Sequence, residues 1–317
     1  MTSQFEQYAN LFDDQTWAFI KLASSSYPKN MASLSLDDQR LAYNKMRKVF
    51  AVPRPKSVVS IDRLVDHEHH SVPIRTYSVD TRDAPAHVLY FHGGGFIVGN
   101  IETHDDICAE ICDQTGFDVT AVDYRLSPEN PHPAPFQDAT AVFNFVAETT
   151  GVPIVLSGDS AGGTLCGALI GAQRGETYQA IGQVLVYPSL GLNTNKGSYI
   201  EHANAPMLTV EDMQKYYLAY SGGVHQDGDA TFLPLLESDF TDIPPTVVIS
   251  AQCDPLSDDG RLYCEKIGDA KGLAIWLNET GLPHAYLRAR HRVDRAGDSF
   301  KRIVNAIQHV GNGHWPY

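Results

Sequence analysis

The sequence predicts an α/β fold in which a mostly parallel, twisted central sheet is flanked by helices. An apolar, β-branched run at 154–156 leads through a glycine-rich turn into small, helix-compatible residues, which indicates strand, turn and helix. A second apolar run at 88–91 ends in three consecutive glycines. Further apolar runs at 182–188, 245–251 and 273–277 are separated by segments long enough for helices or loops. Strands that alternate with helices favour a parallel sheet.

The turn at 158–162 reads Gly-x-Ser-x-Gly, with Ser160 at its centre. Between a strand and a helix this pattern is typical of a nucleophile elbow, whose strained backbone needs small neighbours. Such a turn lifts the Ser160 hydroxyl clear of the sheet and sets the N-terminus of the next helix beneath it, where negative charge is stabilised. The motif alone fits an ordinary glycine-rich turn equally well. Ser160 is therefore a candidate nucleophile that needs support from other motifs.

The three glycines at 93–95 supply that support. Glycine costs backbone entropy in a packed strand or helix, so the run indicates that another group must come close to the backbone. In serine hydrolases with a His-Gly-Gly-Gly loop, N–H groups of this loop and of the residue after the nucleophile bind the carbonyl oxygen of the ester. We therefore predict an oxyanion hole formed by Gly93, Gly94 and Ala161. An ordinary glycine-rich loop is the disfavoured alternative, because two motifs occur in the required order.

A serine hydroxyl is a weak nucleophile near neutral pH and needs a base and an orienting carboxylate. In chains with this elbow, the acid and then the histidine follow the serine. Asp254 stands just after the apolar run at 245–251, at the end of a predicted strand. His284 is the first histidine after the last predicted strand, at 273–277, and lies in a loop. The sequence thus predicts a triad of Ser160, Asp254 and His284.

Five other residues compete for the acid and base positions: Asp258, Asp259, His291, His309 and His314. The two aspartates fall in the first turn of the next predicted helix, where the helix dipole alone favours acids. Of the histidines, His309 lies on a helical segment and His314 lies in the C-terminal tail. Position after a strand end therefore favours Asp254 and His284.

Four ordered motifs resemble those of the bacterial hormone-sensitive-lipase-like carboxylesterases and acetyl esterases of the α/β-hydrolase fold. They are His-Gly-Gly-Gly-Phe at 92–96, Asp-Tyr-Arg-Leu-Ser-Pro-Glu at 123–129, Gly-Asp-Ser-Ala-Gly-Gly at 158–163 and Asp-Pro-Leu at 254–256. At the triad histidine the family usually has His-Gly-Phe, whereas this chain has His-Ala-Tyr at 284–286. The order of a small and then an aromatic residue is kept, so the role of the histidine is expected to be kept as well.

The resemblance implies a serine carboxylesterase that hydrolyses small, short-chain carboxylic esters through an acyl-enzyme intermediate, with no cofactor. It also implies a homodimer formed through the final edge strand. Two other functions stay open at this point. The same triad serves an amidase or a deacetylase, and the fold also includes a binding protein that has lost its triad histidine. The presence of His284 argues against a purely binding, non-catalytic role, and a regulatory partner is not tested by the sequence.

The balance of charged residues restricts the kinds of molecule that the protein is expected to bind. The 317 residues include 24 Lys and Arg against 38 Asp and Glu, a net charge of −14 at pH 7, which argues against nucleic acid or an anionic membrane surface. No apolar stretch reaches the roughly twenty residues that span a bilayer, and the N-terminus lacks the pattern of a signal peptide. The five cysteines are odd in number and too sparse for a disulfide scaffold. We therefore expect a cytoplasmic protein without membrane or nucleic-acid partners.

We predict a single domain over residues 1–317, with a helical cap formed by about 1–50 and about 189–236. The first segment carries two helical patterns, and the second interrupts the alternation of strands and helices. In the resembled family such segments cover the active site, whereas ordinary packing helices are the alternative. Aromatic residues of the insertion, such as Tyr216, Tyr217 and Tyr220, either line the pocket or belong to the core.

Three histidines, His67, His69 and His70, lie within predicted paired strands at 58–79. Alternation places His67 and His69 on one face, but no distant ligands complete a metal site there. We interpret this segment as a solvated antiparallel turn and assign no metal.

A basic cluster follows the triad histidine and consists of Arg288, Arg290, Arg292 and Arg295. We interpret it as a solvated stretch that leads into the last helix. The alternative is an anion-binding rim for esters that carry a carboxylate.

Overall fold

The protein is described from a computed structural model, which describes residues 3–67, 69–79, 84–224, 226 and 228–317. Its strands are β1 (Val58–His67), β2 (His70–Val79), β3 (His87–Phe91), β4 (Asp118–Val122), β5 (Ile154–Asp159), β6 (Gly182–Val186), β7 (Thr246–Cys253) and β8 (Ala274–Pro283). Its α-helices are α1 (Asp14–Ser25), α2 (Leu36–Phe50), α3 (Ile101–Thr115), α4 (Ala134–Thr150), α5 (Ala161–Ala172), α6 (Ser198–Glu201), α7 (Val210–Tyr220), α8 (Ser257–Asp269) and α9 (Asp294–Gly311).

The strands form one sheet in the order β1-β2-β4-β3-β5-β6-β7-β8. Strands β1 and β2 pair antiparallel with each other, and β2 pairs antiparallel with β4, whereas all pairs from β4 to β8 are parallel. Every residue of β3, β5 and β6 is buried, as expected for central strands covered on both faces. The predicted mostly parallel sheet flanked by helices is confirmed.

The helices cover the sheet on both faces. On one face, α3 and α9 contribute to a core that also receives side chains of α1 and α2. On the other face, α4, α5 and α8 pack against the sheet. Parallel strands end at the same edge, so the loops after β3, β5, β7 and β8 converge. These are the loops that carry the predicted site residues.

The two predicted N-terminal helices correspond to α1 and α2. Ser35 caps α2, because its side chain accepts a hydrogen bond from the backbone N–H of Asp38. Arg40 of α2 binds Glu129 through two hydrogen bonds of 2.8 Å and also donates to the carbonyl oxygen of Ile97, just after the glycine run. The first helices therefore contact the loops around the predicted site.

The last strand is longer than the sequence predicts. Strand β8 continues to Pro283, well beyond the expected end at residue 277, so His284 follows it directly. An irregularity in the pairing with β7 between Ala251 and Cys253 lets the two strands remain paired up to Cys253 and Pro283. This extended pairing brings Asp254 and His284 to the same edge of the sheet.

None of the described helices is long and apolar enough to cross a membrane. The five cysteines are all buried and free. Residue 68, in the predicted histidine turn, lies outside the described residues. Nearby, His70 Nε2 lies 2.7 Å from Oδ1 of the buried Asp138, so this histidine joins the hairpin to α4.

Candidate active site

Ser160 occupies the turn between β5 and α5 with φ 55° and ψ −119°, a conformation that strains a residue with a side chain. A Cβ at Gly162 would lie 1.9 Å from the carbonyl oxygen of Phe91, and one at Gly158 would lie 2.6 Å from the backbone of Gly162. Only glycine fits at these two positions. The Ser160 amide donates to the carbonyl oxygen of Val186 at 2.9 Å, which fixes the turn to the neighbouring strand. The local structure is that of the predicted elbow.

The structure brings His284 and Asp254 to Ser160. Nε2 of His284 lies 3.0 Å from Oγ of Ser160, and Nδ1 lies 2.6 Å from Oδ2 of Asp254. A carboxylate only accepts hydrogen bonds, so Nδ1 carries the proton and Nε2 is free to accept one. Asp254 is fully buried, and its other oxygen accepts the backbone N–H of Leu256 at 3.0 Å. The carboxylate is thus held in one orientation toward the imidazole.

The five competing residues have other partners: Asp258 binds Arg261, Asp259 accepts from Leu190 and Gly191, His291 contacts Glu110, and the rings of His309 and His314 contact each other. Burial raises the pKa of Asp259 to about 7. None of these residues is hydrogen-bonded to Ser160 or His284 in the described part of the chain.

The structure of the glycine loop disagrees with the sequence prediction for one residue of the oxyanion hole, Gly93. The Gly93 amide donates to Oδ1 of Asp159 at 3.0 Å, so this donor is already occupied and is not available to a substrate. The amides of Gly94 and Gly95 make no hydrogen bond to any described residue. Gly94 has φ 135°, and a Cβ there would lie 2.0 Å from the carbonyl oxygen of Val98. Ala161 is the first residue of α5, where helical N–H groups have no partner within the helix.

Asp159 is the centre of a buried group that sequence analysis missed. Besides Gly93, it accepts the Tyr90 hydroxyl at 2.8 Å, and Nε2 of His104 lies 3.4 Å from it. Although burial disfavours its charge, His104 and the Arg47 guanidinium hold the pKa of Asp159 well below its usual value. We call Asp159, Tyr90, His104 and His92 the closed cluster.

The two histidines of the closed cluster are stacked, with ring centroids 5.5 Å apart. Burial lowers the pKa of His92 to about 3, and burial also lowers the pKa of His104. His92 is therefore neutral near pH 7, and the carboxylate of Asp159 carries the negative charge of the closed cluster. The sequence signal for this group is an aspartate at the end of β5, directly before the serine.

A cavity of about 640 Å³ opens onto Ser160 and His284. Both candidate cap segments contribute to it, Tyr27 and Tyr43 from the first and Met207, Tyr216, Tyr217 and Tyr220 from the second. Tyr216 lies directly over the glycine loop, since a Cβ on Gly95 would meet its ring at 2.7 Å. A cavity of this size, lined largely by aromatic and aliphatic groups, is typical of a small-molecule site.

Sequence analysis interpreted the arginine cluster as a solvated stretch. This interpretation is wrong for Arg288 and Arg290, which are buried. Arg288 and Arg290 are 9% and 5% exposed, because the turn at Tyr286–Ala289 carries them beneath the first helices and α3. Arg290 pairs with Asp106 and Glu110 of α3 at 2.7 and 2.8 Å. The spacing of these two acids by one helical turn was a signal that sequence analysis passed over. Arg292 and Arg295 are exposed.

The chain is similar to known proteins of one family. Residues 88–288 match the sequence model of a protein family that is described as having the alpha/beta hydrolase fold. Esterase LipI of Mycobacterium tuberculosis is 33% identical over 296 residues, which cover 88% of this chain and 91% of that protein. Ethyl acetate hydrolase of Pseudomonas putida is 28% identical over 293 residues, with the same two coverages. The structure of EstE1, a thermostable carboxylesterase cloned from a metagenomic library, matches with a TM-score of 0.83 and 29% identity over 90% of this chain and 99% of that one.

Proposed function

Because this chain belongs to the alpha/beta hydrolase fold family and is a carboxylic ester hydrolase, we propose that it cleaves short-chain esters with Ser160, His284 and Asp254 through an acyl-enzyme intermediate. The observation that carries this proposal is the continuous contact from Asp254 through His284 to Ser160, at 2.6 and 3.0 Å, at the edge of the cavity. Nucleophile, base and orienting acid are all within hydrogen-bond reach.

In the first step, Oγ of Ser160 attacks the ester carbonyl carbon while Nε2 of His284 takes the hydroxyl proton. Asp254 accepts a hydrogen bond from Nδ1–H, keeps the ring in the required tautomer and stabilises the imidazolium that forms. The tetrahedral intermediate collapses, the bond to the alcohol oxygen breaks, and His284 gives its proton to the leaving alcohol. The product of this step is the acyl ester of Ser160.

We propose that the amides of Gly94, Gly95 and Ala161 bind the oxyanion of that intermediate. This set replaces Gly93 of the sequence prediction by Gly95, because the Gly93 amide is bonded to Asp159. The Gly94 and Gly95 amides have no partner among the described residues, and Ala161 begins a helix whose dipole favours negative charge. One such donor is worth about 3 kcal/mol of transition-state stabilisation.

In the second step, water attacks the acyl-enzyme with His284 as the base, and the carboxylic acid leaves as the Ser160 hydroxyl is restored. The preference for short acyl and alcohol groups is proposed from the similarity to an ethyl acetate hydrolase, and the cavity of about 640 Å³ has the size of a small-molecule site. We further propose that about 1–50 and about 189–236 act as a cap, since residues of both segments line this cavity. The predicted cytoplasmic location and the homodimer stay predictions from the sequence.

The proposal is tested by hydrolysis of a chromogenic ester series from acetate to palmitate, with wild type, Ser160→Ala and Ser25→Ala. We expect wild type to cleave acetate and butyrate fastest, and Ser160→Ala to lose about 10⁶ in kcat, as removal of a triad serine does in subtilisin. Ser25 is an exposed serine near the end of α1 and serves as the control, with full activity expected.

Three outcomes would contradict the proposal. Activity of Ser160→Ala near the wild-type rate would remove Ser160 from the mechanism. Amide turnover without ester turnover would favour the amidase alternative, and no turnover of either would favour a binding role.

A further inference from the structure

Arg288 lies four residues after His284 and lines the same cavity as Ser160. It is 9% exposed and lies in the short helical turn at Tyr286–Ala289, packed beneath the first helices. A guanidinium is charged at any pH at which proteins are folded, so this is a permanent positive charge at the wall of the pocket.

The charge of Arg288 is poorly satisfied by the protein. One terminal nitrogen donates to the sulfur of Met46 at 3.2 Å, a weak acceptor, and the guanidinium lies 5.7 Å from the ring centroid of Tyr43. The guanidinium also interacts with the Tyr27 phenol, which is a neutral partner. Its Nε has no hydrogen-bond partner, and it forms no ion pair with a described carboxylate. Arg290, two residues later, is equally buried but is matched by two carboxylates. The difference is that Arg288 lines the cavity.

The groups that act on Arg288 leave an excess of positive charge. They are the phenols of Tyr27, Tyr43 and Tyr187 and the carboxylate of Asp159. Asp159 is shared with a second buried guanidinium, that of Arg47, which donates to the carbonyl oxygen of Thr103 and forms no ion pair with a described carboxylate. Two buried cations therefore face one carboxylate, and that carboxylate is already bonded to Gly93 and Tyr90.

A buried cation without a full set of acceptors is costly, and a carboxylate that binds its planar fork offsets this cost. We propose that Arg288 binds a carboxylate of the substrate, so that the preferred substrates are esters that carry a free carboxylate in the acyl or the alcohol part. This inference rests on the proposed esterase function and names its substrate class. It assigns Arg288 to specificity and leaves bond cleavage to the triad.

The test compares two pairs of esters that differ only in the carboxylate. For the acyl side the pair is 4-nitrophenyl butyrate and mono-4-nitrophenyl succinate, and for the alcohol side it is phenyl acetate and 4-acetoxybenzoate. The readout is the ratio of kcat/KM for the charged ester to kcat/KM for its neutral partner. Because both esters are measured on one preparation, a partly unfolded variant changes both rates but not their ratio.

We expect Arg288→Met to lower this ratio roughly 10- to 100-fold in one of the two pairs, the range expected for loss of a charge-assisted hydrogen bond. The affected pair tells which part of the substrate carries the carboxylate. Arg288→Lys keeps the charge but loses the fork, so a smaller decrease is expected. Arg292→Gln removes an exposed charge from the same segment, and its ratios are expected to equal those of wild type.

An unchanged ratio in both pairs for Arg288→Met would overturn the inference, and so would equal decreases for Arg288→Met and Arg292→Gln. If wild type cleaves none of the four esters, the proposed esterase function is wrong, and this result alone does not decide the inference about Arg288. The inference is then decided by thermal unfolding with succinate and with succinamide as probes. Stabilisation of wild type by succinate alone, absent in Arg288→Met, supports a carboxylate site, and no difference between the probes overturns it.

Discussion

The site contains two carboxylate–histidine pairs, and they differ in the partner of the second nitrogen of each histidine ring. In the first pair, Asp254 holds Nδ1 of His284, and Nε2 reaches the Ser160 hydroxyl at 3.0 Å. In the second pair, Asp159 lies 3.4 Å from Nε2 of His104, whose Nδ1 lies 2.9 Å from the Thr103 hydroxyl inside the protein. The first pair ends at a cavity, whereas the second ends within the core.

The same two functional groups, a carboxylate and an imidazole, therefore serve two purposes in this protein. A histidine whose second nitrogen meets a partly exposed serine at a cavity is placed to move a proton between protein and substrate. A histidine enclosed by fixed partners supports a carboxylate, and Asp159 in turn holds the Gly93 amide and the Tyr90 hydroxyl. We therefore expect the first pair to govern chemistry and the closed cluster to govern the shape and stability of the glycine loop.

Of the changes to these two pairs, Asp254→Asn is expected to have the largest effect. The amide side chain keeps the shape but favours the wrong tautomer of His284, and we expect kcat to fall about 10⁴-fold. The rate of 4-nitrophenyl acetate hydrolysis measures this, and circular dichroism checks the fold. A decrease of less than tenfold in a folded variant would show that Asp254 does not orient the base.

The matching change in the closed cluster, Asp159→Asn, is expected to have a smaller effect on rate. It weakens the contacts to Gly93, Tyr90 and His104, so the adjacent oxyanion donors lose their fixed position. We expect kcat to fall by up to about 10²-fold, comparable to the loss of one donor. The free energy of unfolding should fall by about 1 to 3 kcal/mol as a charged hydrogen-bond acceptor is lost.

Urea unfolding and ester hydrolysis of the two Asn variants together test the comparison. Asp159→Asn with wild-type stability but a 10⁴-fold rate loss would place Asp159 with the triad and remove the distinction between the two pairs.

The sequence sufficed for the parts of the site that local patterns define. The elbow around Ser160 needs glycine on both sides for reasons of close contact, and those glycines are visible as a motif. Asp254 and His284 each follow a strand, and the carboxyl ends of parallel strands meet at one edge. Because these features depend on short segments and on the rules of the fold, they could be read in order along the chain.

Features that depend on distant partners could not be read in this way. Of three consecutive glycine amides, Gly93 is the one bonded to Asp159, 66 positions later, and nothing local distinguishes it. Arg288 and Arg290 look like a polar surface stretch, but Arg290 is paired with acids 180 and 184 positions earlier. Burial of a charge is decided by such tertiary partners rather than by the neighbouring sequence.

The smallest expected effect is a change in how the free energy of unfolding depends on pH, through a histidine of the closed cluster. Burial lowers the pKa of His92 to about 3, below the value of about 6.5 expected in the unfolded chain. Between these two pH values the unfolded state binds a proton that the folded state excludes, so the contribution of His92 to stability falls as the pH falls. The slope is at most about 1.4 kcal/mol per pH unit. Urea unfolding at several pH values between 4 and 7 should therefore show a shallower acid slope for His92→Gln than for wild type.

His87 provides the matched comparison, because burial lowers its pKa to about 4 and its ring meets Thr120 at the start of β3, whereas the glycine loop follows the end of that strand. We expect His87→Gln to flatten the same slope, but without a change in kcat at pH 7. His92→Gln should flatten the slope and also lower kcat, because His92 contacts the carbonyl oxygen of Gly93 at 2.9 Å. An acid slope for His92→Gln equal to that of wild type would mean that this histidine takes up its proton while the protein is folded. The closed cluster would then be open to water, and the contrast with the triad histidine would be lost.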